Sequence, residues 1–333
     1  MPRRFWRERK RIFHERIGMD GEEGECLVSR NPYEQTMYVD ISSVIGTMNN
    51  NQGDVELVLD MVERLEEFVE CIDDSSMNRD HIIDQAGIKT IIQTMSFHSK
   101  NKNIQKCGCR LLAMLVGCYP KKECRLTATL AKVAREEGVE NKKRIGDEDG
   151  IKTIVDAIYC HGADADFLYW SFLSLAELIK NNAENQRKIR DANVIPGIRW
   201  VMAWNKENLK VQALCCHLTA HLALDPTNQN ILCDHHGIKN VLDAMKDYEH
   251  IFFFGPHCLM AIGNFAIHPT NRDEIASSGG IYRIKVAMKI AMGFRASYHG
   301  LRIRILRQCC WALHALAWNH AANRRRIAKE VGT

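Results

Sequence analysis

The chain has 333 residues, 46% hydrophobic and 26% charged, with a net charge of +4. That composition excludes a disordered or low-complexity chain. No apolar stretch approaches the roughly 18 to 20 residues of a membrane span, and the N-terminus lacks the apolar core of a secretory signal. The charge is uneven: Met1 to Arg16 carries +5, Arg295 to Thr333 carries +7, and the body between them carries −8.

In chain order, Met1 to Arg16 interleaves Phe5, Trp6, Ile12 and Phe13 with basic residues at near-helical spacing. Such a segment is expected to dock on an acidic protein surface, with Arg3, Arg4, Trp6 and Arg7 as contacts. Residues 1–53 read as a basic N-terminal arm, extended and turn-rich between Arg16 and Gly53, and residues 54–333 as the folded domain. Val55 to Ile72 is predicted to be one amphipathic helix, its stripe running from Val55 and Val58 through Val62, Leu65 and Val69 to Ile72. Asp54 is its N-cap.

From Asn78 onward a motif recurs six times, beginning at Asn78, Asn141, Asn185, Asn228, Asn271 and Asn323. An apolar residue stands four later (Ile82, Ile145, Ile189, Leu232, Ile275, Ile327) and usually a glycine nine later (Gly87, Gly150, Gly237, Gly280, Gly332, with Val194 the exception). Ile follows in five copies. Three of the five steps are 43 or 44 residues; the others are 63 and 52. A period of about 40 to 47 residues marks an α-solenoid of helix pairs or triplets. Within the unit, Asn is expected to cap a short helix and Gly to end it in a left-handed turn. A medium helix follows, at Ile88–Phe97, Ile151–Ile158, Ile195–Trp204, Ile238–Met245 and Ile281–Ile290. A longer one closes the unit, at Ile104–Val116, Phe167–Ile179, Leu209–Leu224, His257–Ile267 and Leu301–Trp318. The 63-residue step holds an insertion, 118–140, in which Arg125 to Glu136 is predicted to be a separate helix.

This pattern resembles the armadillo repeat of β-catenin and importin-α. Asn271-Arg-Asp-Glu-Ile-Ala-Ser-Ser-Gly-Gly-Ile281 is its best copy, and Cys-Trp311-Ala-Leu-His-Ala315-Leu-Ala is similar to the armadillo third helix. The resemblance covers Asn78 to the C-terminus. The expected fold is therefore all-α: a right-handed α-solenoid of about five armadillo repeats with partial or degenerate end repeats, Val55 to Ile72 closing the N-terminal end. The resemblance also implies a concave groove lined by third helices. In importin-α, Trp and Asn four apart on successive third helices clamp a basic peptide. The matching pairs here are Arg110/Met114, Leu173/Glu177, His217/His221, Met260/Asn264 and Trp311/Ala315, so the peptide ladder is eroded. His217, His221, Met260, Asn264 and Trp311 are the candidate groove residues. A second candidate surface is the C-terminal end, where the sixth motif supplies only a short helix. There Trp318 stands beside Arg324, Arg325 and Arg326, and another subunit or a second copy is expected to stack.

Thirteen cysteines include no Cys-x-x-Cys pair. Gly108, Ser171, Cys215, Cys258 and Cys309 share one column of the long helices, which predicts small buried packing residues rather than disulfides. His217, His221, Cys233, His235 and His236 lie close in sequence but lack paired metal-ligand spacing, so neither metal nor cofactor is expected. No phosphate loop, Gly-x-Ser-x-Gly or His-Glu-x-x-His occurs, and no enzyme activity is expected. No nucleic-acid fold signature accompanies the charge, so the expected partners are proteins with acidic surfaces. The chain reads as a cytoplasmic scaffold or structural subunit of a large assembly, cytoskeletal or axonemal in kind. The alternative is a soluble peptide-binding transport or signalling adaptor.

Overall fold

The computed structural model describes residues 32–70, 75–84, 86–117, 128–249, 251, 254–293 and 298–332, the side chains of 32–40, 75–77 and 128–137 excepted. Its described residues form eighteen α-helices. Contacts divide the chain into two compact units, Met1–Thr90 and Ile91–Thr333. Arg3, Arg4, Trp6 and Arg7 lie outside the described residues.

In the first unit, α1 (Pro32–Asn50), α2 (Val55–Glu70) and α3 (Ser75–Asp84) pack against one another. The arm expected to be extended between Arg16 and Gly53 is therefore helical over Pro32–Asn50. The reason lies in Ile41, Val44, Ile45 and Met48, an i, i+3, i+4, i+7 stripe. All four are buried, and α1 packs on α2 and α3. Ser42 Oγ lies 3.1 Å from His81 Nε2, and Thr90 Oγ1 donates to Asn49 Oδ1 at 3.1 Å. The helix expected from Val55 is present, and Asp54 Oδ1 accepts the Leu57 N–H at its start.

The rest of the chain runs in triplets. After α4 (Gly87–Phe97), within which the two units divide, comes α5 (Lys102–Leu115). Then follow α6 (Ala128–Asp147), α7 (Gly150–His161) and α8 (Ala165–Ile179). The next triplet is α9 (Ala183–Asp191), α10 (Val194–Trp204) and α11 (Leu209–Leu222). The third is α12 (Pro226–Asp234), α13 (Gly237–Asp247) and α14 (Gly255–Phe265). The fourth is α15 (Pro269–Ser277), α16 (Gly280–Met292) and α17 (His299–Ala317), followed by α18 (Ala321–Val331). The helix expected at Arg125 to Glu136 is not separate: α6 runs unbroken from Ala128 through Asn141. Three residues before Asn185, Asn228 and Asn323 stand Asn182, Asp225 and His320, which accept first-turn N–H groups. Gly138 holds that place in α6 and offers no side chain to stop the helix from extending backwards.

The motif asparagine is not the helix cap. In the short helices α9, α12, α15 and α18 it is the third residue, and in every copy it is buried. Its amide points back into the stack. Nδ2 of Asn78 donates to Phe68 O, and that of Asn141 to Leu115 O, both at 2.8 Å. Asn185 Nδ2 reaches Leu178 O at 3.0 Å and Lys142 O at 2.8 Å. Asn228 donates to Gln186 O, and Asn323 to both Leu316 O and Arg272 O. Each asparagine thus satisfies carbonyls left open at the end of the preceding long helix, or ties one short helix to the next. A cap needs only an acceptor, whereas this role needs an amide donor, and Asn185 and Asn323 each use theirs twice. That requirement explains why Asn fills all six places.

Nor is the motif glycine left-handed. The left-handed residue is the one before it: Ala86, Asp149, Asn193, His236 and Gly279, with φ from 59° to 82°. The glycine opens the next helix and is there for close approach. A Cβ on Gly280 would lie 2.5 Å from Ile275 Cγ2 and 2.7 Å from Ile275 O. At Gly279, with φ of 82°, Gly279→Val is expected to lower stability by about 1–2 kcal/mol. Gly279→Asn should lose only a few tenths, because Asn193 holds the same place at φ 61°. Equal urea midpoints for the two variants would refute this assignment.

Candidate interaction surface

The long third helices form a continuous layer in the second unit: α5 packs on α8, α8 on α11, α11 on α14 and α14 on α17. Their inner columns explain the cysteines. Ser171, Cys215, Cys258 and Cys309 are fully buried, and a Cβ on Gly108 would collide with Met95. Burial pushes the thiols of Cys215 and Cys258 well above their ordinary range and that of Cys309 up to about 12, so all three are neutral packing groups.

Side chains on the outer columns meet across neighbouring helices with one fixed stagger. Arg110 on α5 stacks over the Trp170 ring of α8, 5.0 Å from its centroid. Lys210 Nζ of α11 lies 5.8 Å over the Tyr169 ring. His217 of α11 meets His257 of α14 at 4.4 Å between ring centroids. Trp311 of α17 donates its indole N–H to Asn264 Oδ1 of α14 at 3.3 Å. In all four pairs, the residue on the later helix sits about one turn nearer its helix start than the aligned column predicts. Same-column alignment leaves Asn264 and Trp311, the two residues that keep the importin-type identity, on separate rungs. The stagger brings them together.

That meeting changes what Asn264 can do. It is 4% exposed, its Nδ2 donates to Ala220 O at 2.8 Å, and its Oδ1 holds Trp311. Both ends of the amide are engaged within the layer, so it is not poised to grip a peptide backbone. Trp311 lies against Gly263, where any Cβ would collide with the indole, and keeps 40% exposure. The indole is the contact face left to this pair. Trp311→Ala is expected to lower stability by about 1–2 kcal/mol through lost burial and the lost partner of Asn264. A melting curve shows this; an unchanged midpoint would mean that the indole only lies on the surface.

His217 and His221 are joined by a 3.1 Å contact between their Nε2 atoms, one ring donating to the other. Burial comes first in lowering their basicity. Neighbouring imidazoles and the charges of Lys180 and Arg304 add to it for His217, which is pushed down to about 2. His221 falls to about 4 through burial and Lys180, partly offset by Glu177. His257 falls to about 4 through burial and Arg304. All three are neutral at pH 7. The rings meet edge-on or tilted, and among the described residues no group of three or more His, Cys, Asp or Glu is placed to hold a metal ion. Met260 is half-buried beside them in the layer.

The other candidate residues fall elsewhere. Trp318 is 56% exposed just beyond α17, and its carbonyl accepts from Arg272 Nη1 at 2.8 Å. Arg324, Arg325 and Arg326 are exposed on α18, with Arg324 reaching Ala317 O. Residue-by-residue alignment overlooked Trp170, Tyr169, Lys210, His257 and Arg304. The signal that finds them is the offset between aligned helices, which sequence columns do not carry. No described helix is long and apolar enough to cross a membrane.

No protein-family model matches the sequence, and no curated protein matches it. Solved structures do match. An engineered protein superposes with a TM-score of 0.62 at 16% identity, covering 83% of this chain and 96% of its own. A designed armadillo repeat protein gives 0.61 at 10% identity over 83% of this chain and 99% of that one. A second, solved in complex with the peptide (KR)4, gives 0.59 at 10% identity over 81% and 99%. At such identities the likeness speaks for the fold alone, and that fold is the armadillo-type α-solenoid.

Proposed function

We propose that this protein is a non-enzymatic interaction scaffold that holds partner proteins on its third-helix layer. It would act as a cytoplasmic structural subunit of a larger assembly, of cytoskeletal or ciliary kind. The observation that carries the reading is the continuous layer from α5 to α17, whose outward columns bear rings and cations fixed by cross-helix contacts. A rigid row of Trp, Tyr, Met and Arg is what protein recognition uses. A photo-crosslinking residue placed at Tyr169, Met260 or Trp311 is expected to trap partner protein in cells. The same residue at Tyr282 or Trp200, exposed on the second helices, should trap little. Crosslinks of equal strength from both sets would sink the layer as the partner surface.

A second reading, a soluble adaptor for extended peptides, is favoured by the neighbour solved with (KR)4. The two separate on purification from native cells: a subunit comes out in fixed stoichiometry with other chains, an adaptor largely alone. The basic segment Met1 to Arg16 would add a salt-sensitive attachment to acidic protein. Deleting it should weaken incorporation at low salt and matter less at high salt. Undiminished incorporation at low salt would leave the segment without a docking role.

A further inference from the structure

Two groups of helices in this chain carry opposite charge. In α16, α17 and α18 there are ten Lys and Arg against one carboxylate, Glu330. In α1, α2 and α3 there are ten Asp and Glu against two arginines. The whole chain, by comparison, is nearly balanced at 45 against 41. The acidic group has a defined face. Glu56, Asp60, Glu63, Glu67 and Glu70 recur at i, i+4, i+7, i+11 and i+14 and so line one side of α2. The buried stripe of Val58, Met61, Val62, Leu65 and Val69 lies on the other side. Glu56 and Glu63 are exposed, and an apolar edge runs beside them, Val55 exposed and Leu59 half-buried.

The basic group has an open side. α8, α11 and α14 each pack between two other third helices, whereas α17 packs on α14 with no third helix after it among the described residues. The difference shows column by column. Leu259, Ile262 and Gly263 of α14 are buried; their counterparts on α17 are Cys310 and His314, both exposed, and Leu313, half-buried. On the second helices, Leu242 and Met245 of α13 are buried, while Lys285 and Met288 in the same columns of α16 are half-buried. Along α17, Ile303, Leu306, Cys310, Leu313 and Ala317 form a stripe at i, i+3, i+7, i+10 and i+14, and none of them is buried. Arg307 stands exposed beside the stripe, and α18, packed on α17, adds exposed Arg325 and Arg326. An apolar stripe with a basic border fits an apolar edge with an acidic border. Two basic ends facing each other would repel. We propose that the open side of α16, α17 and α18 receives the acidic face of α2 from a second copy of this chain. Such a contact is heterologous: every copy keeps one face of each kind, and copies join head to tail. The open side is turned away from α14, so it is not the side on which Trp311 meets Asn264.

Analytical ultracentrifugation of the full chain tests this. At about 50 mM sodium chloride the mean mass is expected to rise with protein concentration, and at about 500 mM to return to the monomer, because exposed charges are screened. Glu56→Lys/Glu63→Lys should weaken self-association at least about tenfold, and so should Arg307→Glu/Arg325→Glu/Arg326→Glu, each by setting like charges against each other. All five positions are exposed, and circular dichroism checks that each variant is folded. Mixing the two variants should restore association, since every swapped face then meets the opposite charge on the other chain. Combining all five changes in one chain should restore it too. The neutral Glu56→Gln/Glu63→Gln, a gentler change, should weaken association severalfold. Lys152→Glu/Lys239→Glu, exposed on other second helices, should change it less than about twofold. A chain that stays monomeric at low salt would overturn the proposal, as would association that survives either charge reversal. Folded variants that fail to associate when mixed would show that the two faces do not meet, and would overturn it equally.

Discussion

Replacing Asn185 with alanine is expected to destabilise the protein by about 2–4 kcal/mol. Asn185 is 1% exposed. Its amide donates to two carbonyls, Leu178 O at 3.0 Å and Lys142 O at 2.8 Å. Alanine takes that donor from both oxygens, the one on Leu178 buried and the one on Lys142 part-buried, and such losses cost about 1–3 kcal/mol each when the group is buried. Asn185→Asp should be at least as harmful, since an ionised carboxylate would face two carbonyl oxygens with no proton to offer. The comparison is Asn208→Ala, a half-buried N-cap whose Oδ1 accepts the Val211 N–H at 3.1 Å; its loss should be about 1 kcal/mol. Because Lys142 belongs to the preceding triplet, the damage also falls on the coupling between repeats. In a solenoid that coupling keeps unfolding cooperative. Urea unfolding should therefore show both a lower midpoint and a shallower transition for Asn185→Ala. If its midpoint shift is no larger than that of Asn208→Ala, the amide is not a bridge and the asparagine ladder is incidental.

The repeat was legible because its signal is local. Asn, Ile and Gly recur with fixed spacing, and one turn of helix fixes where each must point. The helix of residues 32–50 was legible too, in the stripe of Ile41, Val44, Ile45 and Met48, but the polar residues around it conceal the stripe in a quick reading. What each residue does was harder to see. A cap and the third residue of the same helix are three positions apart and both polar here, so Asn182 and Asn185 exchange roles under a one-turn misreading. The left-handed residue and the glycine after it are adjacent, and Gly279 beside Gly280 shows how readily one stands in for the other. The interaction surface was least legible. Arg110 with Trp170, or Asn264 with Trp311, meet only because neighbouring third helices are offset by a turn, and that offset is a property of packing rather than of any one repeat.

Lowering the pH from 6.5 to 5 is expected to destabilise the protein through the imidazole cluster before most carboxylates begin to titrate. Burial holds His221 and His257 down to about 4 and His217 down to about 2, whereas an unfolded chain takes up those protons near the ordinary value of about 6.5. Between 6.5 and the folded values, the unfolded state binds more protons, so stability rises with pH. The contribution is fully present above about 6.5 and is lost as pH falls toward 4, with His217 continuing to withdraw stability below that. Each histidine supplies at most about 1.4 kcal/mol per pH unit, and residual solvent contact at His217 and His257 brings the slope below that limit. Asp147 and Asp164, whose carboxyls are held low by hydrogen bonds from Lys188 and Lys102, lose their stabilising charge only at more acid pH and do not confuse the window. The measurement is the urea midpoint at steps between pH 7.5 and 5, for the natural chain and for His217→Gln/His257→Gln. Glutamine packs differently and shifts the variant's starting stability, but the cluster's share of the slope should fall to about one third. Parallel slopes for the two chains would mean that the imidazoles accept protons freely in the folded layer, and that the cluster is wetter than its packing shows.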